Sequence, residues 1–297
     1  MHTKPSSQTT VLVNEFLLVK RMQGLTAKTL QGYEQAIEFL SRNLSGSEFT
    51  KDALTSWINS CLDQGMKPVT LNHYIRCLRA FYYWMMEEGY MEKFKIHCLK
   101  EQEVAPKYYT DEELLLLMKK PKKNASFHEY RMYTMVCLVL ATGIRANTIC
   151  NIKVEDLKEN FLILREQKNK KAAMLPLSPS IQTILSFYIS RYGLDVNDYL
   201  FPNRYGDHLT YNALRMSFER YNTKRGVSKH NFHGLRHSFA RLAVKNGMSA
   251  FELKEWMQHS SIEVTQKYVH LFSEDLSVTL DKNPLEILTT SRKSKFK

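Results

Sequence analysis

Long apolar stretches are missing from this chain. The longest run, residues 135–141, holds seven residues, far short of the ~20 that a membrane-spanning helix needs. No membrane partner is therefore expected. No Cys-x-x-Cys pair occurs either. The five cysteines, Cys61, Cys77, Cys98, Cys137 and Cys150, are odd in number and sit mostly in apolar helical contexts. That pattern fits buried free thiols in a reducing compartment rather than a disulfide framework. The first residues lack the apolar core of a signal peptide, so a cytoplasmic location is expected. Internal repeats and glycine-rich phosphate loops are absent. Acidic residues are in deficit: 30 Asp and Glu face 42 Lys and Arg, a formal net charge of +12.

That positive balance favours a polyanionic partner, although a solvated basic surface has the same composition. Its distribution is uneven. Residues 1–105 carry 12 Lys and Arg against 11 Asp and Glu, whereas residues 106–297 carry 30 against 19. The 297 residues, 43% of them hydrophobic, suffice for two domains.

The pattern predicts a mainly α protein. Residues 8–90 read as a four-helix unit. Its helices cover about 10–22, a segment after Thr26, 51–64 and a strong fourth opened by Pro68, with stops at Gly24, Gly65 and Gly89. The fourth presents Asn72, His73, Arg76 and Arg79 on its polar face, where they either meet phosphates or bases or simply face solvent. Residues 91–107 lose the apolar period and read as a linker. Residues 108–284 form a second, mainly helical unit, and 285–297 a basic, disordered tail. The second unit opens with a capping pattern at Thr110 and has a buried helix at 130–142 that ends on Gly143-Ile144-Arg145. A small antiparallel β-sheet is expected from 161–165 and 172–177, joined by a lysine-rich turn with Lys168, Lys170 and Lys171. Helices follow at 180–192, from 212 to about 225 with Arg215, Arg220 and Lys224 on a basic flank, at 233–246, at 251–257 and beyond 262.

The most informative stretch runs from His233-Gly-Leu-Arg236-His237 to Tyr268. On a helix, His233, Arg236 and His237 share a face. An arginine near a helix start grips two phosphate oxygens at once. A zinc pair of His233 and His237 is disfavoured by the intervening arginine and the lack of cysteine ligands, so no metal or other cofactor is expected. A free tyrosine is only ~0.1% phenolate at pH 7. Clustered cations would lower its pKa and stabilise the phosphorane formed on attack.

In these motifs the chain resembles the tyrosine recombinase, or phage integrase, family in its short Xer-like form. Ala141-Thr-Gly-Ile-Arg145 looks like the first arginine motif. Lys168-Asn-Lys-Lys-Ala-Ala-Met-Leu-Pro176 is similar to the lysine hairpin, whose catalytic lysine stands eight residues before the proline. His233-Gly-Leu-Arg236 matches the His-x-x-Arg box. His259 and Tyr268 keep the family's nine-residue separation. Each motif is weak alone; four in order are specific.

The resemblance implies a site-specific DNA recombinase working through a 3′-phosphotyrosyl bond, without metal or ATP. It implies Arg145 and Arg236 as phosphate clamps, and His233 and His259 as hydrogen-bond donors, with His233 also placed to take the phenolic proton. Lys168 becomes the general acid and Tyr268 the nucleophile. It also implies a helical core-binding domain, a catalytic domain of the type shared with type IB topoisomerases, and double-stranded DNA with inverted-repeat core sites. A homotetramer on paired sites and accessory DNA-bending proteins complete the set of expected partners. Two positions depart from the family pattern: Thr148 replaces an acidic residue that braces the first arginine, and Ala173 replaces a common arginine. An inactive DNA-binding architectural protein and a relaxing enzyme of the topoisomerase kind stand as alternatives.

Overall fold

The computed structural model describes residues 7–43, 49–101, 106–165, 173–258, 261–263, 265–266 and 268. The chain divides into two compact units, residues 1–104 and 105–297. The first is built of four helices: α1 (Ser7–Met22), α2 (Ala27–Ser41), α3 (Lys51–Asp63) and α4 (Pro68–Glu87). Thr26 and Thr50 cap α2 and α3 through their hydroxyls, and Pro68 opens α4 where its missing N–H costs nothing. Apolar residues at helical spacing turn α4 inward: Leu71, Ile75, Leu78, Phe81 and Tyr82 are all fully buried. Phe81 meets Phe16 and Phe49 edge-on, with ring centroids 5.2 and 5.0 Å away. Burying a side chain of this kind is worth about 1.5–3 kcal/mol, so α4 is the axis of the unit.

Residues 91–101, read from sequence as linker, instead lie against this unit. Ile96 is buried in its core, and the Phe94 ring packs edge-on to Tyr82 at 5.9 Å. Asn72 also departs from expectation, since it does not belong to the polar face of α4. It is fully buried, and its amide donates to the Leu99 carbonyl at 2.9 Å and to Glu101 at 2.6 Å. Its Oδ1 accepts the Leu99 N–H at 2.7 Å. A non-helical strap laid on a core must find partners for its backbone groups, and Asn72 supplies two of them. Arg76 reaches the same Glu101 at 3.0 Å but stays exposed, as does His73; Arg79 is half-buried.

The second unit begins with α5 (Asp111–Leu117), closed by a reciprocal Thr110–Glu113 capping box. Helix α6 (Phe127–Thr142) is its centre. Six of its apolar residues, from Tyr130 to Val139, are buried on successive faces, because later helices surround it. Those are α8 (Pro179–Tyr192), α9 (Tyr211–Lys224) and α10 (Phe232–Lys245). Gly143 ends α6 at φ 65°, and a Cβ there would stand 2.5 Å from the Phe239 ring on α10. Only glycine meets both the left-handed turn and this close approach. The short α7 (Ala146–Cys150) and a 3-10 turn (Val154–Asp156), neither of them anticipated, follow. Strands β1 (Phe161–Leu164) and β2 (Ala173–Pro176) pair antiparallel, as expected, with Leu162 opposite Leu175. Helix α11 (Ala250–Met257) starts at a second capping box and ends on Gln258 at φ 52°. Ile262, Glu263, Thr265, Gln266 and Tyr268 are helical. No helix among the described residues is long and apolar enough to cross a membrane.

Candidate active site

Helix α10 carries one wall of the site. Asn231 caps it by accepting the His233 N–H at 3.1 Å. The Ser238 hydroxyl locks it laterally, accepting the Tyr109 N–H at 2.8 Å and donating to the Gly234 carbonyl at 3.0 Å. His233, Arg236 and His237 thus project from a rigid turn. Phe239 and Ala240, on the next turn, join Leu253, Met257 and Tyr268 in a small apolar cluster that seats the helical segment bearing Tyr268.

Arg236 is 3% exposed. Its guanidinium donates to the carbonyl of Gly143 at the end of α6 and, at 2.7 Å, to that of Met257 at the end of α11. Arg145 stands at the start of α7 and donates to the next carbonyl along, Gln258, at 3.0 Å. Two guanidiniums therefore hold consecutive carbonyls of one helix end. Burial first, then the neighbouring Arg145, pulls the Arg236 pKa down to about 9. Burial also lowers that of Arg145. Tyr268, when ionised, acts in the opposite direction and raises both. Paired, partly desolvated cations of this kind are stabilised by an anion. Where the family pattern has an acid beside the first arginine, this chain has Thr148, and Arg145 holds the Gln258 carbonyl.

The Tyr268 hydroxyl lies 2.7 Å from His237 Nδ1, and Tyr268 is 6% exposed. His237 in turn meets the His233 ring edge-on, centroids 4.7 Å apart. The expectation that clustered cations lower the tyrosine pKa does not hold. Burial raises it, and the opposing pull of Arg236 and Arg145 is smaller. Both imidazoles are held neutral. Burial, then His233 and Arg236, takes His237 down to about 4. His233 keeps an exposed edge, yet desolvation of its ring, then Arg236 and Arg145, lower its pKa as well.

The structure thus brings Arg145, His233, Arg236 and Tyr268 together. Lys168, Lys170, Lys171 and His259 lie outside the described residues. Arg215, Arg220 and Lys224 are exposed on α9, and Lys224 is engaged by Glu129 at 2.5 Å. The sequence puts His237 on the same helix face as His233 and Arg236, where it figures only as half of a disfavoured zinc pair. Its spacing from His233 was the available signal.

The sequence pattern of the phage integrase family matches residues 107–275, more than half of the chain. The chain belongs to the phage integrase family. Among its relatives are the tyrosine recombinases XerD of Listeria innocua, 25% identical over 86% of this chain and 91% of theirs, and of Staphylococcus aureus, 25% identical over 88% and 94%. Among solved structures, a lambda integrase dimer bound to a core site superposes with a TM-score of 0.72 at 18% identity, covering 89% of this chain and 96% of that one. XerH recombinase in a post-cleavage complex with a palindromic difH substrate gives 0.68 at 18% identity, covering 89% and 83%. The mainly helical fold with its small antiparallel sheet is the one these structures share.

Proposed function

We propose that this tyrosine recombinase cuts DNA with Tyr268, whose hydroxyl attacks a phosphodiester held by Arg145 and Arg236. Family membership makes the reaction class site-specific DNA breakage and rejoining. The observation that carries the residue assignment is the meeting of one buried phenol with two guanidiniums that interact electrostatically with it. A phosphate entering the site replaces the carbonyls of Gly143, Met257 and Gln258 as acceptor, and its charge relieves the repulsion between the arginines. The phenolic oxygen then bonds to phosphorus while the bond to the 5′-oxygen breaks, leaving a 3′-phosphotyrosyl link. His233 and His259 donate hydrogen bonds to the phosphate, and Lys168 protonates the leaving oxygen. The energy of the broken bond is kept in the link, so rejoining needs no ATP.

The helical unit of residues 8–90 serves as the core-binding half. His73, Arg76 and Arg79 on α4, Arg215, Arg220 and Lys224 on α9, and Lys170 and Lys171 in the hairpin supply phosphate contacts. The partner is double-stranded DNA with inverted-repeat core sites, on which four copies assemble, with accessory DNA-bending proteins, in the bacterial cytoplasm at the nucleoid. The test is a nicked cognate site incubated with purified protein. Wild type should give a covalent adduct that resists SDS, and Tyr268→Phe should give none. An adduct surviving in Tyr268→Phe would transfer the role to another tyrosine. Tyr211, exposed on α9, is the next to test; Tyr221 is buried, with its hydroxyl donating to the Leu117 carbonyl at 2.7 Å.

A further inference from the structure

The imidazole that meets the phenol is not the one in the His-x-x-Arg box. His233 lies one turn earlier, and its ring abuts His237 edge to face, interplanar angle 87°. His237 is the residue whose Nδ1 reaches the Tyr268 hydroxyl, at 2.7 Å, with the two rings tilted by 38°. Both partners are held from behind. His237 stands on α10, pinned by Asn231 and Ser238, and Tyr268 is packed on Phe239, Leu253 and Met257. A neutral imidazole has one acceptor nitrogen, and a phenol has one proton to give. In the tautomer that carries its proton on Nε2, Nδ1 accepts the phenolic proton across this contact.

We propose that His237 is a further catalytic residue, whose Nδ1 holds the Tyr268 hydroxyl and takes its proton as the phenolic oxygen attacks phosphorus. This rests on the nucleophile assignment argued above. As the oxygen–phosphorus bond forms, the phenol's O–H bond breaks and its proton goes to Nδ1. The phosphorus–5′-oxygen bond breaks, and that oxygen takes a proton from Lys168. On rejoining, the 5′-hydroxyl attacks phosphorus and returns its proton to Lys168, and the departing phenolate recovers its proton from Nδ1, so His237 ends neutral. Burial, His233 and Arg236 keep the ring unprotonated and ready to accept. A phosphate bound at Arg236 and Arg145 places negative charge beside the ring and favours the imidazolium it must become.

The experiment measures single-turnover cleavage of the nicked site by the full chain. It compares wild type, His237→Ala, His237→Asn and Tyr268→Phe, each checked for its thermal melt and for DNA binding by gel shift. Asparagine keeps an acceptor near Nδ1 but is no base, and it serves if the alanine variant fails to fold. The expected loss in both variants is about 10²–10⁴-fold, the usual contribution of a positioned acid–base group. Without His237 the phenol must lose its proton to solvent, so the variants' rates should climb about tenfold per pH unit between roughly pH 7 and 9. The wild-type profile should be flatter. Among the described residues, the charged or titratable groups that act on the pair are His233, Arg236 and Arg145; every group but His237 is common to wild type and variants, so the difference in profile isolates His237. A wild-type rate in folded His237→Ala, or a slow rate with the wild-type pH profile, overturns the proposal. If Tyr268→Phe still forms adduct, the nucleophile assignment itself has failed. If only the His237 variants remain active, the assignment stands and the base lies elsewhere.

Discussion

Replacing Arg236 by lysine tests whether one guanidinium ties the site together. Arg236 donates at once to Gly143 at the end of α6 and to Met257 at the end of α11. Lysine keeps the charge, and with it the repulsion from Arg145, but its compact ammonium lacks the planar fork that spans two carbonyls. One buried carbonyl then loses its donor, at a cost of about 1–3 kcal/mol. In a unit of about 190 residues (105–297), each kcal/mol moves the melting temperature by roughly 2–4 °C. The melt of free Arg236→Lys, followed by calorimetry, should fall by roughly 2–12 °C. With DNA the same change removes the two-point grip on phosphate, and adduct formation should slow about 10²–10³-fold, the usual cost of one lost donor at a developing charge. A variant that melts with wild type refutes the reasoning, because the contacts joining α6, α10 and α11 would then carry no weight.

Asn72→Ala should destabilise the first unit by about 1–3 kcal/mol in urea melts, since Leu99 loses both backbone partners. If Asn72 were a DNA contact instead, stability would be unchanged and only binding would weaken. Stability should also depend on acid. His237 and His233 are both harder to protonate in the fold than in the unfolded chain, where histidine titrates near ~6.5. The unfolded state therefore binds more protons below that pH, and stability, full above it, should decline as pH falls toward the His237 value of about 4. Melts at pH 7 and 5 measure this, and His237→Asn should reduce the slope. Lys168→Ala should slow cleavage of ordinary DNA, and much less so of a site whose leaving atom is sulfur and needs no proton. Equal slowing on both substrates removes lysine from the acid role.

Much of this was legible in the residues. Helix starts at Thr26, Thr50, Thr110 and Ser249 carry their own capping chemistry, and Gly24, Gly65, Gly89 and Gly143 mark the stops, so those boundaries fall where the sequence puts them. The α10 motif shows its functional face through simple i, i+3, i+4 spacing. Burial of polar groups is harder to read. Asn72 looks like a surface amide until the strap at residues 96–101 lies across it, a contact 27 residues distant in sequence. Short elements such as α7 leave too little periodicity to detect. The tyrosine's ionisation also escaped a charge-only argument, because the cations are visible in the sequence and the burial that outweighs them is not. Likewise the carbonyls of Met257 and Gln258 have no side-chain signature, yet Arg236 and Arg145 hold them.

The most direct measurement digests the covalent protein–DNA adduct and locates the attached nucleotide by mass spectrometry. A 3′-phosphoryl nucleotide on the tryptic peptide that contains Tyr268, bonded through its phenolic oxygen, is the result expected here. Attachment at any other residue, or a cleaved strand bearing a free 3′-phosphate and no peptide, would contradict it.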